Sequence, residues 1–264
     1  MRKSPFLKTL LILSLLCIFI PMLLIGLWSF VARWPWPDLT PAKYSLRTFN
    51  DLIFRSKKLT ALLGSSFSLA AATALISTLI GIMTARATEF YNIKIKRLVY
   101  FSSLLPLLIP GAVFSIGIHI VFIRLGLTDT LIGVLLCHII AAVPYCITIM
   151  TDLTAAVGDK LEEQAMVLGA NPIRAFFAVT LPRLLPGILS STSMAFILSY
   201  SQYFTTLLIG GGKIKTIALV LVPYIQSGDR ALASIYSLVY VLSALVIFFI
   251  IEFFMHLSMK RGEA

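Results

Sequence analysis

The stretch EEQAMVLGANPIRAFFAVTLPRLLPG, residues 162–187, gathers groups suited to gripping another surface. Glu163 offers a carboxylate to a basic partner, with Gln164 and Ala165 beside it on the same helix. Asp159 and Glu162 have the three-residue offset of a capping box, which predicts a helix starting at about Lys160. Gly169 can take the left-handed conformation that closes a helix. Asn171 is then placed to cap a second helix, with Pro172 at its first position, where a missing N–H is harmless. Leu161, Ala165, Leu168, Phe176, Phe177 and Val179 supply apolar faces, and Leu181-Pro182 ends or kinks the second helix. This is the chemistry of recognition, and no bond-making set accompanies it. The sequence has no Gly-x4-Gly-Lys-Ser/Thr phosphate loop, since Gly212-Lys213 lacks the upstream glycine and runs into Ile214. It has no His-Glu-x-x-His, no nucleophile elbow and no paired carboxylates in an apolar stretch, so an enzyme is not expected.

The elements that must position this stretch are oily. Of the 264 residues, 59% are hydrophobic and only 12% charged, about half the charged share of a soluble domain. Six windows hold no Asp, Glu, Lys or Arg: 9–32, 59–85, 98–123, 130–151, 184–212 and 231–251. Each exceeds the roughly 20 residues a helix needs to cross a hydrocarbon core about 30 Å thick. The last span is extended to 255. The next longest window, 216–228, is too short and reads as a re-entrant or interfacial piece. The expectation is therefore an all-α membrane protein, a single domain over 1–264 with six transmembrane helices. Two longer connections remain, 33–58 and 152–183. The first, Pro-punctuated and aromatic, is expected to ride on the interface before a short amphipathic helix.

The first window is longer than a signal-peptide core and no small-x-small cleavage site follows it, so it is expected to be retained. Cys17, Cys137 and Cys146 lie inside spans without metal spacing and read as packing residues. The net charge of +11 flanks spans, which makes it an interfacial feature and no sign of nucleic-acid binding. With the N-terminus inside, inner segments hold 12 Lys/Arg and outer ones 10, a weak positive-inside bias. Polar residues inside spans are costly and face cavities or partner helices. They are His119, His138, Tyr145, Ser199, Gln202 and Tyr203, of which His119, Ser199, Gln202 and Tyr203 are the candidates for a solute path. Pro106, Pro110 and Pro144 are expected to shape or kink helices.

The spacing Glu163-Gln164-Ala165, three residues, Gly169, nine residues, Val179, one residue, Leu181-Pro182 resembles the EAA loop of the membrane subunits of type I ABC importers. Every gap agrees, with Gln164 for Ala and Val179 for Ile as departures. SLLPLLIPGAVFSIGI in the third span and FILSYSQYFTTLLIGGG in the fifth are similar to permeases handling polyamines, ferric iron, thiamine or phosphonates. The resemblance implies a type I permease fold with a cytoplasmic coupling helix between the fourth and fifth spans. It implies that Glu163, Gln164, Ala165, Gly169, Asn171, Pro172, Leu181 and Pro182 dock an ATPase subunit. The expected partners are an ATPase dimer that binds ATP and Mg, a second permease with a heterodimer favoured, an external solute-binding protein and the lipid bilayer. This chain itself needs no cofactor or metal. The expected setting is the bacterial inner membrane with both termini cytoplasmic, and the expected solute is small and polar or charged, such as a polyamine. An acidic residue that such sequences often carry near Gln202 is missing here. An ion-gradient-driven transporter is the alternative; it would need buried carboxylates and repeat symmetry, and neither is visible.

Overall fold

The structure, a computed structural model, describes residues 5–33, 43–44, 50, 57–91, 94 and 96–262. The chain is helical almost throughout, because a backbone in hydrocarbon must satisfy its N–H and C=O groups within its own segment. In chain order the elements are α1 (Pro5–Trp28), a short antiparallel pair β1 (Val31–Arg33) and β2 (Lys43–Tyr44), α2 (Lys57–Phe90), α3 (Lys96–Leu108), α4 (Gly111–Arg124), α5 (Leu131–Val157), α6 (Lys160–Val167), α7 (Pro172–Ala175), a π turn (Phe176–Thr180), α8 (Leu181–Ser201), α9 (Phe204–Gly210), α10 (Ile217–Ser227) and α11 (Arg230–Gly262). Five helical stretches are long and apolar enough to cross a membrane: α1, α2, α5, the continuous run from α7 through α8, and α11. The pair α3 and α4 makes a sixth when taken as one bent span.

The predicted third span, 98–123, is thus broken. Its halves meet at 103° around Ile109 and Pro110, and Pro110 stands outside both helices at φ −52°, ψ 130°. Proline lacks the N–H and crowds the preceding turn, whereas Pro106 and Pro144 are carried inside helices. The predicted fifth span, 184–212, breaks too: α8 ends at Ser201, Gln202 is extended, and α9 restarts at Phe204. The window 216–228 forms α10, whose 11 residues are too few to cross. Beyond β1 and β2, the interfacial segment expected over 33–58 lies outside the described residues.

Packing divides the chain into two compact units, residues 1–63 with 220–243 and residues 64–219 with 244–264. In the first, α1 exposes apolar side chains all round, Leu23 at 70%, as suits a helix surrounded by lipid. The Arg230 guanidinium lies over the Trp28 ring, and Tyr224 stacks on Tyr236. The second unit holds two apolar clusters. Leu69, Phe122, Val134, Cys137 and Ile209 form one, and Ala85, Met150 and Leu184 the other. Gly81 lets α2 approach α5 closely: a Cβ there would stand 2.9 Å from the Cys146 carbonyl carbon and oxygen. At one end of this unit the Asp129 N–H donates to the Ile209 carbonyl (2.7 Å) and the Asp129 carboxylate pairs with Lys213 (3.0 Å). The opposite end of α5 leads into residues 158–183.

Candidate functional site

Residues 158–183 are built from two helix ends facing across one turn. The helix α6 begins at Lys160, as the sequence predicts, but the capping box does not form. Asp159 is in a helical conformation and its side chain caps nothing. Glu162 turns instead toward Arg86 of α2, accepting two parallel hydrogen bonds, 2.9 Å to Nη1 and 2.8 Å to Nη2. The Thr180 hydroxyl donates to the same carboxylate. The guanidinium in turn lies over the rings of Phe176 (4.5 Å to the centroid) and Phe90 (5.2 Å). A bidentate, ring-backed guanidinium outcompetes an exposed backbone N–H for a carboxylate. The Arg86 hydrogen bonds hold the Glu162 carboxyl below the ordinary carboxylate range, against the opposing effect of burial. Glu162 is 8% exposed, so it is an anchor.

The turn follows the predicted logic closely. Gly169 stands at φ +96°. Its N–H reaches the Met166 carbonyl and the Ala170 N–H reaches the Ala165 carbonyl, both at 3.0 Å, the paired closure of a Schellman motif. Asn171 accepts the Arg174 N–H at 2.7 Å, and Pro172 occupies the first turn of α7. The second helix is expected to end or kink at Pro182. It does not stop at Pro182 but runs on as α8, with Phe176–Thr180 wound as a π turn just before the proline. The wider turn absorbs the carbonyl that Pro182 cannot bond, which removes the need to end the helix.

The outcome is a rigid base and a bare tip. Glu163, Gln164, Gly169, Asn171 and Pro172 are exposed together, Ala165 and Leu181 are half-buried, and Pro182 is exposed further along the helix. Val167 and Leu168 expose 87% and 88% of their surface, with Ile173 and Phe177 also bare. Large apolar groups left out at a well-ordered turn mark a contact surface.

The candidate path residues are not brought together. Ser199 is sealed into a buried set in which His138 bridges Ser199 (Nδ1, 2.8 Å) and Thr206 (Nε2, 3.0 Å), while Ser199 also reaches Thr73 (3.2 Å). That set ties α2, α5, α8 and α9. Gln202 lines a cavity of 410 Å³ with Ser115, Tyr145 and Thr205 among its walls. Its Oε1 accepts from Thr205, whose hydroxyl is 2.8 Å from that of Ser115. His119 and Tyr203 do not line this cavity. The Nδ1 of His119 is buried without a hydrogen-bond partner among the described residues.

Sequence reasoning missed Arg86 and Thr180, along with the hydroxyl groups of Thr73, Ser115, Thr205 and Thr206. Arg86 carried one signal, as the charge that closes the second window. The hydroxyls carried none, since Ser and Thr are ordinary in apolar helices.

Residues 77–261 match the family described as "Binding-protein-dependent transport system inner membrane component". That is more than half of the chain, and the protein belongs to this family: it is the permease subunit of a type I ABC importer. It is a multi-pass inner-membrane component of transport and not an enzyme, which sets aside the gradient-driven alternative. Permeases of this kind work in general with a separate ATPase and a solute-binding protein. Among curated relatives, the putrescine transport system permease protein PotI of Escherichia coli K12 is 24% identical over 86% of this chain and 82% of its own. The molybdenum transport system permease protein ModB of Mycobacterium bovis is 29% identical over 75% and 81%. The solved structure of a bacterial ABC transporter that imports the acidic polysaccharide alginate has a chain matching 93% of each partner, with a TM-score of 0.65 and 16% identity. It supports the fold alone. The relatives carry different solutes, so membership does not name this one.

Proposed function

We propose that the connection 152–183, whose residues up to Val157 continue α5, is the cytoplasmic loop through which this permease docks its ATPase, with Glu163, Gln164, Ala165, Gly169, Asn171, Pro172, Leu181 and Pro182 as the docking segment. The observation that carries this is the bare apolar tip, Val167, Leu168, Ile173 and Phe177, on a base braced by Arg86, Glu162 and Thr180. A tip that must transmit force needs a stiff root, and the bidentate pair supplies one. On this reading the loop and both termini face the cytoplasm, and the ATPase dimer binds ATP and Mg. Differential binding of ATP and of the loaded receptor then shifts an inward–outward equilibrium. A second permease completes the path, a related but distinct chain being favoured.

The solute path is assigned to the region of Gln202, with Ser199, Tyr203 and His119 as its remaining candidates. A polyamine is the solute suggested by the resemblance and by the PotI likeness. The cavity beside Gln202 offers hydroxyls and an amide, and among the described residues no carboxylate lines it. A small polar solute is the broader form of the proposal.

The test is Gly169→Val. A branched side chain in the left-handed region costs about 1–2 kcal/mol, too little to unfold the bundle but enough to move the tip. The variant is expected to insert normally yet to lose the ATPase on copurification, or to lose receptor-stimulated hydrolysis in proteoliposomes. Normal values for both would remove the docking reading.

A further inference from the structure

A second cavity, of 740 Å³, opens where the end of α2, the start of α3 and the end of α5 meet, at the same end of the unit as the loop. Its wall is apolar, with Leu104 and Ile147 inside it, and its rim carries four charges: Glu89, Lys96, Arg97 and Asp152. Lys96 and Glu89 neutralise each other at 2.8 Å. Arg97 and Asp152 form no ion pair or hydrogen bond through their side chains among the described residues. One free guanidinium and one free carboxylate therefore stand on the rim of one apolar cavity. The volume falls in the range of small-ligand sites.

We propose that this cavity binds a phospholipid whose headgroup carries a phosphate and a primary ammonium, of the phosphatidylethanolamine type, from the leaflet on the loop side. Arg97 takes the phosphate, for which a planar guanidinium is suited. Asp152 accepts hydrogen bonds from the ammonium, and an acyl chain lies along the wall at Leu104 and Ile147. The two unpaired charges of opposite sign argue for a zwitterion. A phosphatidylglycerol headgroup would offer Asp152 only neutral hydroxyls in place of a charged donor, and a quaternary ammonium could not donate to it. The occupant would also brace α2 near Arg86, at the root of the loop.

The test measures lipids held by the assembled importer after exchange into mixed micelles containing equal amounts of phosphatidylethanolamine, phosphatidylglycerol and phosphatidylcholine. Lipids retained through washing are quantified by native mass spectrometry. Enrichment of phosphatidylethanolamine over both others is expected. It should fall by about tenfold in Arg97→Gln and in Asp152→Asn, each of which removes one charge-assisted contact. Equal retention of the three lipids would overturn the proposal, as would enrichment unchanged in both variants. The wild-type lipid comparison stands without any variant, should either fail to assemble. Displacement of the retained lipid by millimolar soluble phosphoethanolamine would overturn the lipid assignment in favour of a free headgroup. Retention by the isolated chain but not by the assembled importer would overturn it in favour of a protein surface covering the cavity.

Discussion

Glu162 and His138 are both polar side chains buried by helices of the same unit, yet their surroundings serve different ends. Glu162 is ionised and held by a guanidinium and a hydroxyl, and the helix that carries it leaves its far end bare. His138 is enclosed, each ring nitrogen meeting one hydroxyl, and nothing about its surroundings points outward. The first arrangement concentrates a strong contact at one point in order to present another surface. The second spreads weak contacts over four helices to hold them together. Interhelical hydrogen bonds in membranes average only about 0.6 kcal/mol, whereas breaking a buried ion pair from one side costs about 3–5 kcal/mol. Strength is thus placed at the loop, and distributed packing in the span.

The largest effect that separates the two is expected from Arg86→Leu, which strands the Glu162 carboxylate. A loss of roughly 3 kcal/mol is expected, at the lower end because the pair is partly exposed. It should be read as a lower Tm together with weaker ATPase copurification. Arg86→Leu with Glu162→Leu should recover much of the Tm, since the stranded charge is gone. Equal losses in the single and double variants would break the comparison.

Acid provides the next test. A carboxyl whose pKa is lowered in the folded state contributes stability that is full above the ordinary carboxylate range. That contribution declines as the pH falls through the range toward the lowered folded value. The Tm of the wild type should therefore drop more steeply on acidification than that of Glu162→Gln, with the two curves converging at low pH. Parallel curves would mean that the clamp contributes no ionised bond.

His138→Leu should cost about 1 kcal/mol, two weak contacts traded for apolar packing, with ATPase copurification unchanged. Loss of the ATPase in this variant would break the comparison by giving the span cluster the role proposed for the loop. Gln202→Leu is expected to have the smallest effect on stability, under about 1 kcal/mol, while lowering solute uptake in proteoliposomes. Unchanged uptake would reassign Gln202 to packing.

What could be read from the sequence followed the range of the forces involved. Spans follow from hydropathy, which is local, and the charge-free windows located five of the six as long helical stretches. The closing turn was legible because Gly169, Asn171 and Pro172 act within a few residues of themselves. The break at Pro110 could be expected in kind but not in angle, which depends on what packs against it. The break at Gln202 carries no Pro or Gly; Thr205 and Thr206 bond the Gln202 side chain and carbonyl there. Asp159 and Glu162 were misread as a local pair because the stronger partner of Glu162 lies 76 residues away.

The continuity of α7, the π turn and α8 gives the loop a mechanical property. Residues 172–201 form one helical stretch of 30 residues, a rod of about 45 Å at 1.5 Å per residue. It runs from the bare tip to the edge of the cavity at Gln202. A tilt of about 5° about one end would swing the other through about 4 Å, more than a hydrogen bond's length. If the rod tilted as one body, the displacement at its far end would be large enough to break the contacts of Gln202 with Thr205 and Thr206 of α9.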